Sequence, residues 1–274
     1  MTPARSQLVL SIFPGIGLLD RGFEAAGFSV VRGPDTLWGG DVRQFHVAGA
    51  ASQFTGIIGG PPCQKFSLGN RNRDVDAGME LVREYLRIVT EAQPDWWMME
   101  NVPGSPSLDA SQLPVGYAVQ LFTLDASHVG SQQRRLRKFH FGHRPGTREL
   151  VIGRGTSQPG TQRTCLASEG RRKGRRSWAE FCALQGLPAG FDLPGFTVME
   201  KFRAVGNGVP YPLALALAQA IRARDRGVTP HRVCPCGCGE YIHGKEQFAA
   251  PRCRKREQRR RDLITPAASQ LELA

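Results

Sequence analysis

The chain has 274 residues, of which 41% are hydrophobic, so it is long enough to bury the core of one large α/β domain with small additions. Its apolar runs fall well short of the roughly 20 residues that a membrane-spanning helix needs, which argues against a membrane protein. One Arg and a strand-like segment at the amino terminus lack the form of a signal peptide, so we expect a cytoplasmic protein.

The formal net charge of +12 is distributed unevenly along the chain. Residues 1–133 carry 9 Lys and Arg against 13 Asp and Glu, whereas residues 134–274 carry 27 against 11. Codon bias in a GC-rich genome can inflate the Arg content, but it does not explain the clustering. Because one-sided positive charge is typical of proteins that bind a polyanion, nucleic acid is the expected partner.

The first part of the chain predicts strands that alternate with helices. Residues 8–13 read as a buried strand, and a glycine turn at residues 14–17 opens a helix that runs to about residue 26. Residues 28–32 form a second short strand, which the acidic residue Asp35 follows. This is the beginning of a doubly wound sheet.

The same alternation continues over the next 40 residues. Residues 56–60 are a third apolar strand, residues 81–92 have helical periodicity, and residues 96–99 are an apolar strand that ends at Glu100. Strands that alternate with helices predict an α/β fold of the Rossmann type, with a parallel sheet and its chemistry at the carboxyl ends of the strands.

The second part of the chain is less regular. Residues 142–177 lose periodicity and contain a basic run at residues 171–176, which indicates a loop-rich insert. Helical patterning returns at residues 178–185 and again at 212–224, with a turn at residues 206–210 between them. The segment from about residue 228 reads as a separate unit whose last residues are expected to be disordered.

Two residues at strand ends are candidates for chemistry. Cys63 follows the third strand on a loop that Pro61 and Pro62 stiffen, although most single cysteines are small core residues. A nucleophilic thiol also needs positive charge nearby, because an ordinary thiol is only a few per cent ionised at neutral pH. Glu100 ends the adjacent strand and could hold a proton for a ring nitrogen, although a lone acid more often lies in a surface turn.

Five motifs, in order, resemble those of the cytosine-C5 DNA methyltransferase family over nearly all of residues 8–224. They are Phe13-Pro14-Gly15-Ile16-Gly17, Pro62-Cys63-Gln64, Glu100-Asn101-Val102, Gln133-Arg134-Arg135-Leu136-Arg137 and Gly206-Asn207-Gly208-Val209. The compact form is more similar to phage or prophage orphan enzymes than to the methyltransferases of restriction systems. The resemblance implies S-adenosylmethionine (SAM) as methyl donor and double-stranded DNA as substrate.

The resemblance also implies roles for individual residues. Cys63 would add to C6 of a flipped cytosine, Glu100 would hold a proton at N3, and Arg135 would bind O2 and favour the thiolate, whereas Arg137 would order the loop or contact DNA. The expected cofactor-binding residues are Phe13, Gly15, Ile16, Gly17, Asp35, Asp41, Val42, Pro62, Leu81 and Asn207. The expected DNA-binding residues are Gln64, Ser67, Gln133, Arg137, Arg172, Lys173, Arg175 and Arg176.

The sequence departs from the family pattern at several places. Ser11 stands where many relatives carry an acid, and Lys65 occupies a position that is usually small. The insert that the family uses for target recognition is shorter than usual here, so we expect a short or loosely read site, or help from the carboxyl-terminal segment.

A cysteine cluster and basic residues mark the carboxyl-terminal segment. Four thiols suit a structural zinc ion, but the crowded spacing is unusual, so His231 or His243 could replace one, and reduced thiols are the alternative. The four cysteines are Cys234, Cys236, Cys238 and Cys253. The basic residues downstream, starting at Arg252, would lie along phosphates or form a solvated tail.

We therefore predict four parts: a catalytic SAM-binding region at residues 1–141, a short recognition insert at 142–177, a return to the catalytic domain at 178–227, and a Cys-rich basic module at 228–274. The protein is expected to be a monomer. Three alternatives stay open, namely a tRNA cytosine-C5 methyltransferase, a C5-modifying enzyme that uses a modified SAM donor, and a catalytically inactive DNA-binding regulator.

Overall fold

The computed structural model describes residues 7–62, 66, 74–153, 160–227, 232–233, 241–242 and 250–264. Six strands form the main sheet: β1 Leu8–Ile12, β2 Ser29–Arg32, β3 Gly56–Gly59, β4 Trp96–Asn101, β5 Ala118–Asp125 and β6 Leu136–His143. The helices are α1 Leu18–Ala25, α2 Val75–Ala92, α3 Trp178–Leu184, α4 Val198–Asn207, α5 Tyr211–Asp225 and α6 Pro251–Ile264. Two short strands, β7 Arg232–Val233 and β8 Tyr241–Ile242, pair with each other.

The sheet has the strand order β2-β1-β3-β4-β6-β5. Strands β1 to β4 are parallel, whereas β6 runs antiparallel to both β4 and β5. The predicted α/β class and the parallel part of the sheet are confirmed. The hairpin of β5 and β6 was not predicted, and only its residues Leu136 and Arg137 were interpreted, as the end of a motif.

Helices cover both faces of the sheet, and alternate strand residues supply the two cores. Phe23 of α1 and Leu217 of α5 pack with Trp96 and Phe141 on one face. Tyr85 of α2 packs on the other face, together with Trp97 and Met99. The Tyr85 hydroxyl donates to the carbonyl oxygen of Met98 at 2.8 Å, so the helix is fixed to the middle of the sheet.

A third apolar cluster lies beneath α3 and α4. It includes Phe181 and Phe202, whose ring centroids are 4.5 Å apart, and it buries Cys165 from the predicted insert. Gly170 lies so close to α4 that an added Cβ would be 3.1 Å from the Cβ of Phe202. The described second half of the predicted insert, residues 160–177, therefore packs on the catalytic region. The division of the chain into four parts stays a prediction.

Helix α2 begins at Val75, six residues before the start that periodicity predicted, because the Asp74 carboxylate accepts a hydrogen bond from the Ala77 amide and caps the helix. Helix α4 was not predicted. Across the described ranges, the structure contains no helix with the length and apolar character that crossing a membrane requires.

Candidate active site

A cleft of about 480 Å³ opens at the carboxyl ends of β1, β3 and β4. Its volume lies within the range typical of small-molecule sites, and α4 closes the opposite side. The lining residues are Ser11, Phe13, Pro14, Gly15, Ile16, Leu18, Leu19, Asp35, Thr36, Leu37, Gly59, Gly60, Pro61, Pro62, Glu100, Glu200, Arg203, Ala204, Asn207, Gly208 and Val209.

The turn at residues 13–17 forms one wall of the cleft. Phe13 and Gly15 adopt left-handed conformations with φ of 58° and 55°. In this turn the amide and the carbonyl of Gly15 both face side chains that follow β2. The Gly15 amide donates to one Asp35 carboxylate oxygen at 2.7 Å, and the Gly15 carbonyl accepts from the Trp38 indole at 2.7 Å. The turn is therefore held from both sides by residues that follow β2.

Six of the ten expected cofactor residues line this cleft, and four do not. The six are Phe13, Gly15, Ile16, Asp35, Pro62 and Asn207. Gly17 caps α1 instead, Asp41 caps a short 3₁₀ turn and pairs with Arg43 at 3.0 Å, Val42 is buried in the core, and Leu81 packs against that core from α2.

Glu100 brings a carboxyl group to the end of β4, inside the cleft. The Arg137 Nε lies 2.8 Å from a Glu100 carboxylate oxygen, and both side chains are nearly buried. Burial raises the pKa of Glu100 above its ordinary value, although the positive charges of Arg137 and Arg135 act to lower it. Glu100 can therefore hold a proton at a higher pH than an ordinary carboxyl.

Arg135 does not make the contacts expected of a catalytic residue. Its side chain is 1% exposed, and the guanidinium donates to the carbonyls of Cys165, Gly206 and Gly208 at 2.8–2.9 Å. This arrangement ties the predicted insert to the end of α4. The sequence could not separate Arg135 from Arg137, because both fit the same motif.

Gln133 is also placed differently from the expectation of a DNA contact. It is fully buried, donates to the Leu184 carbonyl and the Gln185 side chain, and accepts from the Cys165 amide. A residue without exposed atoms cannot touch DNA in this conformation, so we correct this expectation.

The basic run of the insert contains exposed residues and one residue, Arg176, that contacts other protein side chains. Arg172, Lys173 and Arg175 are exposed, as a DNA contact requires. Arg176 instead pairs with Glu169 at 3.2 Å and donates to the Cys165 sulfur at 3.2 Å. Three further expected site residues, Cys63, Gln64 and Ser67, lie outside the described residues, as does Lys65.

Sequence reasoning missed several groups at the cleft. Glu200 and Arg203 approach it from α4, whose Thr197-x-x-Glu200 capping box was a readable signal of a helix start. Trp38 is 61% exposed and makes an edge contact with Phe196, which precedes α4. A buried contact between Ser11 and Asp20 behind the turn was also missed.

Of the four expected zinc ligands, only Cys253 falls among the described residues, and it is buried on α6. Cys234, Cys236 and Cys238 lie outside them, and so do His231 and His243. Within the part that is described, no group of three or more His, Cys, Asp or Glu residues could hold a metal ion. The zinc site therefore has no support from the described geometry.

Two solved structures share the fold. A prophage-encoded E. coli protein, described as a candidate DNA modification methyltransferase, superposes with a TM-score of 0.58 and 17% identity over 80% of this chain and 99% of its own. A variant of Spodoptera frugiperda DNMT2 gives a TM-score of 0.53 and 13% identity over 78% of this chain and 99% of its own.

Sequence comparison identifies closer relatives. M.NgoPII of Neisseria gonorrhoeae is 33% identical over 162 residues, which cover 50% of this chain and 48% of the relative, so the chain spans about half the length of that protein. M.AquIA of Picosynechococcus is 35% identical over 181 residues, or 50% of this chain and 72% of the relative. Both are named Type II methyltransferases.

The profile of one protein family matches residues 34–163, which include Cys63, Glu100 and the segment from Gln133 to Arg137. Together with the extent of the match to M.AquIA, it shows that the chain belongs to the family of C-5 cytosine-specific DNA methylases.

Proposed function

We propose that this protein transfers a methyl group from SAM to C5 of a cytosine in double-stranded DNA. The observation that carries the proposal is the nearly buried Glu100–Arg137 pair, in which Glu100, near the end of β4, lines the same cleft as Pro62. Cys63 is bonded to Pro62, so the family's nucleophile follows directly in the chain from a cleft residue.

The cleft has features that suit SAM. The amides of Gly15 and Leu37 donate to the Asp35 carboxylate and fix its orientation. A carboxylate held in this way is suited to accept hydrogen bonds from ribose hydroxyls. Phe13 and Leu37 add apolar surface for a flat base, and Gly15 has open space around its missing Cβ. SAM, when bound, supplies an electrophilic methyl group on a sulfonium sulfur.

In the proposed reaction, Cys63 acts on the base as a thiolate. Its sulfur would form a bond to C6 of cytosine, and the electron pair of the C5–C6 double bond would then form the bond from C5 to the methyl carbon. The bond from that carbon to the donor sulfur would break in the same step, so that S-adenosylhomocysteine leaves. After the C5 proton leaves, the Cys63–C6 bond breaks and the double bond returns. The thiolate is thus regenerated and 5-methylcytosine is released.

Glu100 would stabilise the addition step. Electron density moves towards N3 as the thiolate adds, and a carboxyl with a raised pKa can share its proton there. We assign the neighbouring cation to Arg137 rather than to Arg135, because Arg137 contacts Glu100 whereas Arg135 is occupied by three carbonyls. Arg137 would then orient Glu100 and face O2 of the ring.

Cytosine must leave the duplex to reach this cleft, since C5 and C6 are stacked inside DNA. Exposed Arg172, Lys173 and Arg175 would hold the phosphate backbone and offset the unstacking cost. We further propose that the protein works as a monomer in the cytoplasm, and light scattering of the purified protein would test its oligomeric state.

The experiment that tests the function supplies labelled SAM and compares cytosine-containing duplex DNA with tRNA. We expect label in DNA, 5-methylcytosine on mass spectrometry of its nucleosides, and loss of transfer in Cys63→Ala with SAM binding retained. Label in tRNA would favour the RNA alternative, a heavier C5 group would favour a modified donor, and SAM-independent DNA binding without transfer would favour a regulator.

We retain structural zinc at Cys234, Cys236, Cys238 and Cys253 as a separate proposal, which rests on the soft ligand set alone. Metal analysis of protein purified without added metal tests it. Stoichiometric zinc that is lost in Cys253→Ser would support the proposal, and metal-free wild-type protein would contradict it.

A further inference from the structure

A buried carboxylate lies directly behind the turn at residues 13–17. Asp20, in the first turn of α1, is fully buried. One of its oxygens accepts from the Ser11 hydroxyl at 2.6 Å, and the other accepts from the Arg32 Nε at 2.8 Å. We call Ser11, Asp20 and Arg32 the Asp20 bracket.

The bracket joins the three elements around the turn. Ser11 belongs to β1, Asp20 to α1 and Arg32 to β2. Arg32 also packs against Gly17, where an added Cβ would be 3.1 Å from a guanidinium nitrogen. Both ends of the turn are therefore fixed to one carboxylate.

Helix stability alone does not explain this placement. An acid in the first turn favours a helix even when it is exposed to water, so burial is not needed for that effect. Burial is unfavourable for a charged group, and it raises the pKa of Asp20 although Ser11 and Arg32 act to lower it. A costly buried charge that spans the two ends of a ligand-facing turn indicates a role in shaping that turn.

The turn itself faces the cleft. Ser11, Phe13 and Gly15 all line it, and the left-handed conformation of Phe13 is disfavoured in a free chain. Binding to a turn that is already held in shape costs less conformational entropy than binding to a turn that must first become ordered.

We propose that Asp20 is a positioning residue for SAM: it holds the turn at residues 13–17 in its binding conformation before SAM arrives. This inference rests on the proposed function, because it takes the cleft to be the SAM site. It predicts that Asp20, which does not line the cleft, controls ligand affinity without touching the ligand.

The test is calorimetric titration of SAM and S-adenosylhomocysteine into the full-length protein. Asp20→Asn keeps the shape of the side chain but removes its charge, and we expect its Kd to rise about tenfold or more, as loss of a buried charge-assisted contact would give. Glu24→Gln is the matched control, because Glu24 pairs with the same Arg32 at 2.9 Å on the surface. Its Kd should change less than about twofold.

A swap separates positioning from general stability. Ser11→Asp places two carboxylates in contact and should also weaken binding, whereas the double variant Ser11→Asp with Asp20→Ser restores one acid and one hydroxyl. We expect the double variant to bind more tightly than either Ser11→Asp or Asp20→Ser alone. Urea unfolding of each variant shows whether it is folded, and Ser11→Ala replaces Asp20→Asn if the latter does not fold.

Three results would each overturn the inference: unchanged affinity in Asp20→Asn, equal weakening in Glu24→Gln, or a double variant that binds no more tightly than the tighter of the two single variants. If wild-type protein binds neither ligand, the proposed function fails instead. The two failures are therefore distinguishable.

Discussion

At the scale of single residues, Arg135 and Arg137 illustrate how neighbouring residues of one type take different tasks. Arg135 donates hydrogen bonds to carbonyl groups at the end of α4, and Arg137 pairs with Glu100, which lines the cleft. The first contact stabilises the fold, and the second adjusts the charge of an acid. The two arginines should therefore respond differently to removal.

We expect Arg135→Ala to lower the free energy of unfolding by about 3 kcal/mol, because three carbonyls lose a buried charged donor. Arg137→Ala should lower kcat about a hundredfold, a loss typical of one preorganised donor at a reacting group, with a smaller effect on stability. Urea unfolding and steady-state methyl transfer measure the two effects. The reverse pattern would return the catalytic role to Arg135.

Glu100 provides a test with a defined pH direction. Its pKa is raised in the folded protein, so below the ordinary value of 4.5 both folded and unfolded states carry the proton. As pH rises from there through the folded pKa, the unfolded state releases its proton first, and this contribution to stability is lost. Glu100→Gln cannot release a proton.

The stability of Glu100→Gln, measured as its free energy of unfolding, should therefore increase relative to that of wild-type protein as pH rises above about 4.5. Urea unfolding of both proteins at several pH values measures it, with Asp109→Asn as an exposed control whose pKa is lowered instead. A shift in favour of wild-type protein over the same window would show that Arg137 outweighs burial.

The site was partly predictable from sequence at this scale. Glu100 and Asp35 were identified because acids that follow strands of a parallel sheet meet at one edge, and the structure places both in the cleft. The direction of Arg135, the burial of Gln133 and the contact between Ser11 and Asp20 depend on packing between segments far apart in the chain. Local patterns carry no information about such contacts.

At the scale of elements, Gly59 ends β3 and Gly60 follows it, and the two glycines have different surroundings. A Cβ on Gly59 would lie 2.4 Å from the Ile12 carbonyl oxygen in β1, whereas a Cβ on Gly60 would lie 2.9 Å from the Glu100 carboxylate. The first neighbour is rigid backbone. The second is the end of a flexible side chain.

We therefore expect Gly59→Ala to separate β1 from β3 and lower the melting temperature clearly, by several degrees for a loss of about 1–3 kcal/mol. Gly60→Ala should keep the fold but displace Glu100 and reduce kcat. Calorimetry measures the melting temperature of both variants, and methyl-transfer assays measure their kcat. Each variant is the control for the other. Equal melting temperatures would show that β1 and β3 adjust freely.

Elements were predictable where the pattern was local and strong. Strands β1, β2, β3 and β4 and helices α1 and α5 follow from apolar runs with turns between them. Strands β5 and β6 were missed, since exposed and buried residues mix along β5, and a pairing with β6 cannot be read from either strand alone. Helix α4 was missed because its Gly206-Asn207-Gly208 end was read as a turn.

At the scale of the whole molecule, positive charge is concentrated in the half of the chain that carries the insert and α6. Exposed Arg172, Lys173 and Arg175 lie in the insert, and exposed Arg254, Lys255 and Arg256 lie on α6. Phosphate contacts release counterions, so each one steepens the salt dependence of DNA affinity by about 0.9 in a log–log plot.

Changing Arg172, Lys173 and Arg175 together to Ala should flatten that slope by about 2–3. The triple change of Arg254, Lys255 and Arg256 to Ala tests whether α6 lies along DNA, in which case it should flatten the slope as well. Fluorescence anisotropy with one duplex at several salt concentrations measures the slope for each triple variant. An unchanged slope in either variant would remove that segment from the DNA interface.

The central claim is that the Cys63 sulfur bonds to a cytosine ring in the cleft beside Glu100 and Arg137. The most direct measurement incubates the protein and SAM with duplex DNA that contains 5-fluorocytosine, which blocks the final release, and identifies the attached residue by mass spectrometry of peptides. We predict a methylated DNA adduct on Cys63 that Cys63→Ala does not form. Methylation of ordinary DNA without any trapped adduct, or an adduct on another residue, would contradict the claim.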